Sequence, residues 1–221
     1  MIKKLVAIVP MKGHSERVPD KNIRIIGGKP LFYWILNTLT HCSTVEQVYV
    51  DTDSKKIAKM CKDTFNVSII WRPRELRGDF ISMNNILAYD INYIGGRDFL
   101  QTHATNPLIK AQTIDNAVKK YFSLNKFDSL FSVTKIQSRL YDSSLKPINH
   151  DPSNLIRTQD LPVVYEENSN LYIFSIESFK NNKSNRIGKK PFLYEVDKLE
   201  AIDIDTREDF DLADALLKVK H

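Results

Sequence analysis

Cysteine is scarce in this chain of 221 residues, which has only Cys42 and Cys61. Neither stands at a metal-ligand spacing, and we expect both to be buried apolar thiols within predicted helices. No apolar run reaches the roughly 20 residues that a membrane-spanning helix needs. The amino terminus runs straight into a strand and lacks the long apolar region of a signal peptide. These absences predict a cytosolic protein that does not enter a membrane.

The sequence also lacks a nucleic-acid-binding motif, internal repeats and low-complexity segments. Its formal net charge is +5, but the cations are dispersed among 27 acidic residues and form no basic patch with interleaved aromatic residues. A positive balance suits small anionic substrates equally well, so we expect no nucleic-acid partner. Hydrophobic residues make up 42% of the chain, enough for a real core. The length predicts one domain over residues 1–221.

Strand-like and helix-like patterns alternate along the first 135 residues. The predicted strands are Leu5–Val9, Gln47–Asp51, Val67–Trp71, Phe99–Thr102 and Ser129–Thr134. The predicted helices are Leu31–His41, Ser54–Asp63, Ser82–Ile94 and Gln112–Ser123, with Ser54 and Ser82 as N-caps. This alternation predicts an α/β fold with a mostly parallel sheet and helices on both faces.

The alternation stops after Lys135. Residues 136 to about 170 are irregular, with prolines at 147, 152 and 162, and such a long irregular segment is usually functional or an interaction arm. A strand is predicted over Asn170–Ser175, and an amphipathic helix over Arg207–Val219.

A polar loop follows the first strand and contains three cations, Lys12, Arg17 and Lys21, with Gly13 and Ser15 between them. Open α/β folds bind ligands at the carboxyl ends of their strands. Three cations there can meet a polyphosphate, glycine permits close backbone approach, and serine and backbone N–H groups supply donors. The loop is neither a Walker loop nor a G-x-G-x-x-G turn.

Asp203-Ile204-Asp205 is the second informative pattern. In an extended segment the two carboxylates project to one face, where they can hold Mg²⁺ if phosphate oxygens complete its coordination. Alternatively, Asp205 or Thr206 caps the last helix. Together with the basic loop, the pattern favours metal binding.

These motifs resemble those of the acylneuraminate cytidylyltransferases, the CMP-sialic acid synthetase family. The similarity includes Ser15-x-Arg17-x-Pro19-x-Lys21-Asn22, Gly27–Leu31, an R-P-x-x-L-x-x-D-x-x-S run from Arg72 to Ser82, and the I-D-I-D-T segment that ends at Thr206. The resemblance implies a three-layer Rossmann-like nucleotide-diphospho-sugar transferase fold. It also implies CTP and an acidic nine-carbon keto-sugar as substrates. A homodimer joined by an arm within residues 136–190 is expected as well.

The resemblance assigns roles to individual residues of this chain. Lys21, supported by Lys12 and Arg17, is the catalytic group, and Asp203 and Asp205 bind the metal. The expected nucleotide-binding residues are Gly13, Ser15, Asn22, Arg72, Asp79 and Ser82. The expected acceptor-binding residues are Gln101, Thr105, Asn106, Arg157, Gln159 and Asn168.

Three residues depart from the family pattern. Lys12 stands where the family usually has arginine, Thr158 precedes Gln159 where arginine is common, and Ser169 stands for glycine. The acceptor is therefore open between a sialic acid-like sugar, another acid such as a 3-deoxy-octulosonate, and a non-sugar. A non-catalytic nucleotide-binding homologue is a further alternative, against which Lys21, Asp203 and Asp205 argue.

Two further side chains have more than one interpretation. Asp53 either shapes the nucleotide site or caps the helix that follows with Ser54. His103 is a candidate catalytic base, although a lone histidine in a loop is more often a hydrogen-bonding residue.

Overall fold

The computed structural model describes residues 3–15 and 18–219. In this part of the chain the strands are β1 Leu5–Met11, β2 Ile25–Ile26, β3 Lys29–Pro30, β4 Val45–Thr52, β5 Ser68–Trp71, β6 Asp98–Thr102, β7 Ser129–Ile136, β8 Val164–Ser175 and β9 Pro191–Glu195. The α-helices are α1 Leu31–Thr40, α2 Lys55–Thr64, α3 Met83–Ile94, α4 Ala111–Ser123, α5 Ile176–Asn181 and α6 Arg207–Val219. Short 3₁₀ turns cover Lys21–Ile23, Arg74–Leu76 and Thr158–Asp160.

Seven strands form one sheet in the order β5-β4-β1-β6-β8-β7-β9. Neighbours pair in parallel except at β8, which runs antiparallel to both β6 and β7. The chain passes from β1 outward to β4 and β5 and then returns to the other side of β1 as β6. The carboxyl ends of β1 and β6 therefore flank the reversal of strand order, which is where open α/β sheets bind ligands.

Alternate residues of β1 face opposite sides of the sheet and enter two separate cores. Ala7 and Val9 belong to a core with α1, α2 and α4, whereas Ile8 belongs to one with α3 and α5. A third cluster packs α6 against Ile26 and Leu31. The predicted α/β fold, with a mostly parallel sheet and helices on both faces, is confirmed.

The helix starts follow their sequences. Ser54 Oγ accepts a hydrogen bond from the backbone N–H of Ile57, and Ser82 Oγ accepts one from Asn85, as expected of N-caps. Cys61 lies in α2 as predicted, but Cys42 follows the end of α1 rather than lying inside it. Both thiols are buried, and burial raises their pKa values to about 12. Across the described ranges, no helix combines the length and the apolar character that crossing a bilayer requires.

Strand β8 begins at Val164, six residues before the predicted Asn170. Its polar first half pairs with the end of β7, beyond a register shift between Phe131 and Val133. The hydroxyl of Ser132 fills this irregularity, because it accepts from the backbone N–H of Leu171 and donates to Asn168 Oδ1. The irregular segment thus shortens to residues 137–163, and the division of the chain into a domain and an arm stays a prediction.

Candidate active site

The polar loop after β1 is held against β4 by its backbone. The N–H of Gly13 donates to Asp53 Oδ1 at 2.6 Å, and a Cβ on Gly13 would lie 2.9 Å from the Cβ of Ser54. Asn22 Nδ2 donates to the carbonyl of Lys12 at 2.9 Å. Asp53 therefore shapes this loop, whereas Ser54 caps α2. Only a residue without a side chain allows the loop to approach β4 so closely.

Lys21 joins the basic loop to the Asp203–Asp205 segment. Its Nζ donates to the carbonyl oxygen of Ile204 at 2.7 Å and lies 3.4 Å from Asp205 Oδ1. The side chain of Lys21 is only 13% exposed. The two sequence motifs, 183 positions apart, thus meet at one ammonium group.

Asp203 and Asp205 both face one cavity, and Ile204 between them is fully buried. Thr206, not Asp205, caps α6: its hydroxyl accepts from the N–H of Asp209 and donates to the carboxylate of that residue. The capping alternative is thus met by Thr206.

The two carboxylates suit a hard cation, although no metal cluster of three His, Cys, Asp or Glu side chains occurs within the ranges that the structure describes. Asp203 Oδ1 is buried and has no hydrogen-bond partner among the described residues. Burial raises the pKa of Asp203, while a hydrogen bond from Thr105 lowers it. An orphaned carboxylate oxygen beside a second carboxylate is a donor set for Mg²⁺ if a ligand supplies the remaining oxygens.

Arg72 enters the cavity wall from the end of β5, anchored by a buried pair of carboxyl groups. Its Nε donates to Asp51 Oδ1 at 2.5 Å, and its Nη2 contacts the same oxygen. Asp90, fully buried on α3, faces Asp51. Burial and the Asp51 charge raise the pKa of Asp90 to about 9, and burial raises the pKa of Asp51 although Arg72 opposes this. The two carboxyl groups therefore share one proton, held mainly by Asp90, and the remaining negative charge of the pair matches Arg72.

A cavity of about 490 Å³ lies at this edge of the sheet. The predicted site residues that line it are Lys12, Ser15, Lys21, Asn22, Arg72, Asp79, Thr105, Asp203 and Asp205. A second cavity of about 590 Å³ shares Ser169, Asp203 and Asp205 with the first, and Asn168 lines it. A larger cavity of about 940 Å³ surrounds Asp98 and Ser175, at the amino-terminal start of β6. Its position away from the carboxyl ends of the strands argues against it as the ligand site.

Other predicted residues support the cavity without lining it. Gln101 lies behind the cavity wall, where it donates to His103 Nε2 at 2.9 Å. Asn106 is fully buried beside the cavity-lining Thr105, and within the described ranges its side-chain nitrogen and oxygen have no hydrogen-bond partner. Ser82 caps α3, and Gly13 contributes its backbone.

Two predicted residues do not enter this arrangement, and a third lies outside the residues that the structure describes. Arg157 and Gln159 lie on the irregular segment and line neither cavity, and Arg157 pairs with Asp160 at 2.7 Å. Arg17 lies outside the described residues. The roles given to these residues stay predictions.

His103 lines the cavity and accepts a hydrogen bond from Gln101, which places its own proton on Nδ1. Burial lowers its pKa to about 3, aided by the nearby charges of Arg186 and Lys21. His103 is therefore neutral near pH 7 and a weak base. It fits the hydrogen-bonding interpretation better than the catalytic one.

Sequence reasoning did not find Arg186, which also lines the cavity. It lies among lysine, asparagine and serine residues between α5 and β9, and that polar composition is typical of a solvated loop. Asp90 was missed as well. An aspartate in the apolar stripe of α3, beside Leu87 and Ile91, was the available signal.

Comparison with known proteins identifies the family. A family model described as cytidylyltransferase matches residues 6–220. The N-acylneuraminate cytidylyltransferase of Streptococcus agalactiae serotype III (strain NEM316) is 25% identical over 94% of this chain. The match spans only 52% of that relative, so the chain covers about half of its length.

A relative of similar size is the CMP-N,N'-diacetyllegionaminic acid synthase of Legionella pneumophila, 28% identical over 98% of this chain and 97% of its own. The solved structure of CMP:2-keto-3-deoxy-manno-octonic acid synthetase with CTP superposes with a TM-score of 0.73 at 14% identity, covering 99% of this chain and 100% of that one. This structural similarity supports the α/β fold described above. The match to the family model covers nearly the whole sequence, and the chain belongs to the cytidylyltransferase family.

Proposed function

We propose that this protein transfers CMP from CTP to an acidic keto-sugar and releases pyrophosphate. The observation that carries the proposal is the meeting of Lys21 with Asp203 and Asp205 at a cavity whose walls also carry Lys12 and Arg72. Cations suit the phosphate oxygens of a nucleotide, and paired carboxylates suit the metal that accompanies them. The relatives named above point to the same class of reaction.

In the proposed step, the anomeric hydroxyl oxygen of the acceptor attacks the α-phosphorus of CTP in line. A new P–O bond forms, the bond to the β-phosphate breaks, and pyrophosphate leaves with the released electron pair. Lys21, supported by Lys12 and Arg17, neutralises the charge that grows on the leaving group. Mg²⁺ held by Asp203 and Asp205 would supply further positive charge to the phosphate oxygens. We assign the hydroxyl proton to solvent, because His103 is a weak base.

The nucleotide is expected along the loop after β1 and the wall formed by Arg72. Lys12 is paired with Asp79 across the cavity, and both side chains are partly exposed, at 41% and 32%. An exposed ion pair contributes little to stability, so exchange of Asp79 for a phosphate costs little. Gly13 and Ser15 supply a close backbone and a hydroxyl at the same loop.

The test is pyrophosphate release with Mg²⁺ from CTP, ATP, GTP and UTP. The acceptors are N-acetylneuraminic acid, N,N'-diacetyllegionaminic acid and 2-keto-3-deoxy-manno-octonic acid. We expect release that depends on CTP and one acid, and that is lost in folded Asp203→Asn and Lys21→Ala proteins. CTP binding without release across the panel would point to another acceptor. Absence of both binding and release would remove the proposal.

We also propose a homodimer formed through the irregular segment. Residues 137–163 expose apolar side chains that a partner could cover: Tyr141, Leu145, Ile148, Leu155 and Ile156. Sedimentation velocity should give twice the chain mass, and Leu155→Asp should shift the protein toward monomer. A wild-type monomer at tens of micromolar would refute the dimer. A cytosolic location is part of the same proposal, and cell fractionation tests it.

A further inference from the structure

Arg186 is a buried cation in the wall of the cavity. Its side chain is 16% exposed, and its guanidinium carbon lies 3.5 Å from the ring centroid of the fully buried Tyr172. Its backbone N–H donates to Asn84 Oδ1 on α3 at 3.2 Å, which ties the loop between α5 and β9 to that helix. The ring below and the backbone anchor hold the guanidinium at one place in the cavity wall.

The hydrogen-bonding capacity of Arg186 is largely unused. Arginine carries five N–H donors. Among the described residues, Nη1 of Arg186 donates a hydrogen bond to Gln101 Oε1 at 2.6 Å, and the guanidinium also interacts with the hydroxyl of Tyr172. The carboxylate that pairs with Arg186 in the described part of the chain is that of Glu167, 4.0 Å from Nη2, and Glu167 already accepts a hydrogen bond from Tyr172. A buried guanidinium with so little compensation favours an anionic ligand.

The position of Arg186 suits the acceptor rather than the nucleotide. His103, Arg186 and Lys21 line the same cavity, and both cations are close enough to act on the His103 ring. Lys21 marks the Asp203–Asp205 end, where the reacting phosphate is expected. Glu167, 4.0 Å from Arg186, lines the second cavity, and Ser169 lines both cavities. An acceptor with its hydroxyl at the phosphate would extend over His103 to Arg186.

We propose that Arg186 binds the carboxylate of the acid acceptor within the same subunit and so selects acids over neutral sugars. The planar fork of its guanidinium matches a carboxylate by two parallel hydrogen bonds. Gln101 holds one edge of the fork, and Tyr172 supports its face. This inference rests on the proposed function, because it names the group of the acceptor that the same site recognises.

The experiment compares wild type with Arg186→Gln and Arg186→Lys in the pyrophosphate assay. The acceptor is the panel acid that wild type uses fastest, assayed beside its methyl ester. Arg186→Gln should raise KM for the acid by roughly 10- to 100-fold and leave KM for CTP within about twofold, because a charge-assisted contact to one substrate is lost. The preference for acid over ester should disappear in Arg186→Gln. Arg186→Lys should fall between, since it keeps the charge and loses the fork.

Two further variants sharpen the result. Lys189→Gln removes an exposed cation from the same loop outside the cavity and should change neither KM. Arg157→Gln tests the arginine that the sequence motif favours. An acid-specific defect in Arg157→Gln with none in Arg186→Gln would overturn the proposal, as would an Arg186→Gln protein whose defect lies in KM for CTP.

The inference and the proposed function fail in different ways. If wild type releases no pyrophosphate with any acid, the proposed function fails. If wild type is active but treats acid and ester alike, only the role of Arg186 fails. Should Arg186→Gln not fold, the wild-type acid-to-ester ratio and the same ratio in Arg186→Lys decide, and equal ratios in the two proteins overturn the proposal.

Discussion

Replacing Asp90 by asparagine should change how the stability of the protein depends on pH. Asp90 is fully buried and faces Asp51, and its pKa is raised to about 9. An unfolded aspartate has a pKa of about 3.9. Between these values the unfolded chain has released the proton and the folded chain still holds it. The free energy of unfolding therefore falls as pH rises, by about 1.4 kcal/mol per pH unit for one proton.

Asparagine cannot ionise, but its amide can donate to Asp51 in place of the protonated carboxyl. From pH 7 to pH 8.5 the free energy of unfolding of the wild type should fall by about 2 kcal/mol, and that of Asp90→Asn should not show this fall. The range above pH 7 is chosen because of His103. The pKa of His103 is lowered to about 3 in the folded protein, whereas in the unfolded chain it is about 6.5. Between these two values only the unfolded chain binds the proton, so the contribution of His103 to stability rises with pH up to about 6.5. Above that value the contribution of His103 is constant.

Urea unfolding at pH 7.0, 7.5, 8.0 and 8.5 measures the difference between the two proteins, and groups common to both cancel. Asp63→Asn, on the exposed end of α2, controls for the loss of a carboxylate. Asp90→Ala should be less stable than Asp90→Asn at every pH, because it removes the donor to a buried carboxylate. A difference between Asp90→Asn and wild type that stays constant with pH would refute the shared proton and mean that Arg72 balances two ionised carboxylates.

Three other changes test the fold and the site. Gly27→Ala should lower the free energy of unfolding, measured by thermal unfolding, by about 1–3 kcal/mol, because φ is +54° and the new Cβ would lie 2.8 Å from the Cβ of Leu217. Gly28→Ala is the control, because Gly28 also has a positive φ but a Cβ there would meet no other atom, so the difference between the two variants measures the clash. Asp115 accepts four hydrogen bonds from the loop before β4, and these bonds lower the pKa of its carboxyl group although burial opposes them. The ionised carboxylate therefore stabilises the fold above about pH 4, and this contribution is lost as the pH falls below that value. Asp115→Asn should flatten the loss of stability below pH 4, and an unchanged acid slope would contradict this. Lys21→Met should lower kcat by roughly 10²- to 10³-fold with little change in Tm, and a near-normal kcat would remove its proposed role.

The architecture was predictable because the chain follows its local patterns. Apolar runs at strand length, capping serines and the polar loop after β1 all report local preferences, and each agrees with the observed sheet. The strand-end rule placed only the loop with Lys21 at the ligand-binding edge, whereas Asp203 was assigned to the same site by its carboxylate pattern and the family resemblance. Local patterns gave the elements and the edge at which the motifs meet.

What the sequence did not reveal depends on long-range contacts. Arg186 lies in a stretch with the composition of a solvated loop, and only the packing of that loop on Tyr172 and α3 brings its side chain into the cavity. The early start of β8 depends on the irregularity at Ser132, which allows a polar strand to pair with β7. Ser169 was seen as a departure from glycine, but its backbone, at φ 57°, shows the physical reason for glycine there.

The described cations of the cavity wall differ in how readily they can meet a ligand. Arg72 and Asp51 are 4% and 0% exposed, so their pair is a fixed part of the wall. Lys12 and Asp79 form a partly exposed pair that can exchange partners. Lys21 is bound to a backbone carbonyl and lies beside Asp205.

Arg186 differs from the other three because, among the described residues, its carboxylate partner Glu167 is 4.0 Å away, while its side chain is only 16% exposed. A phosphate chain is mobile and highly charged, and exchangeable partners such as Lys12 suit it. A single carboxylate carries one charge, and a desolvated, rigid guanidinium gains more from it than an exposed lysine does. The distribution of charge thus favours the nucleotide at Lys12 and the acid at Arg186. Added salt should accordingly raise KM for CTP more than it raises KM for the acid, because exposed ion pairs are screened more strongly than buried ones. Equal salt dependence of the two KM values would contradict this division of the cavity.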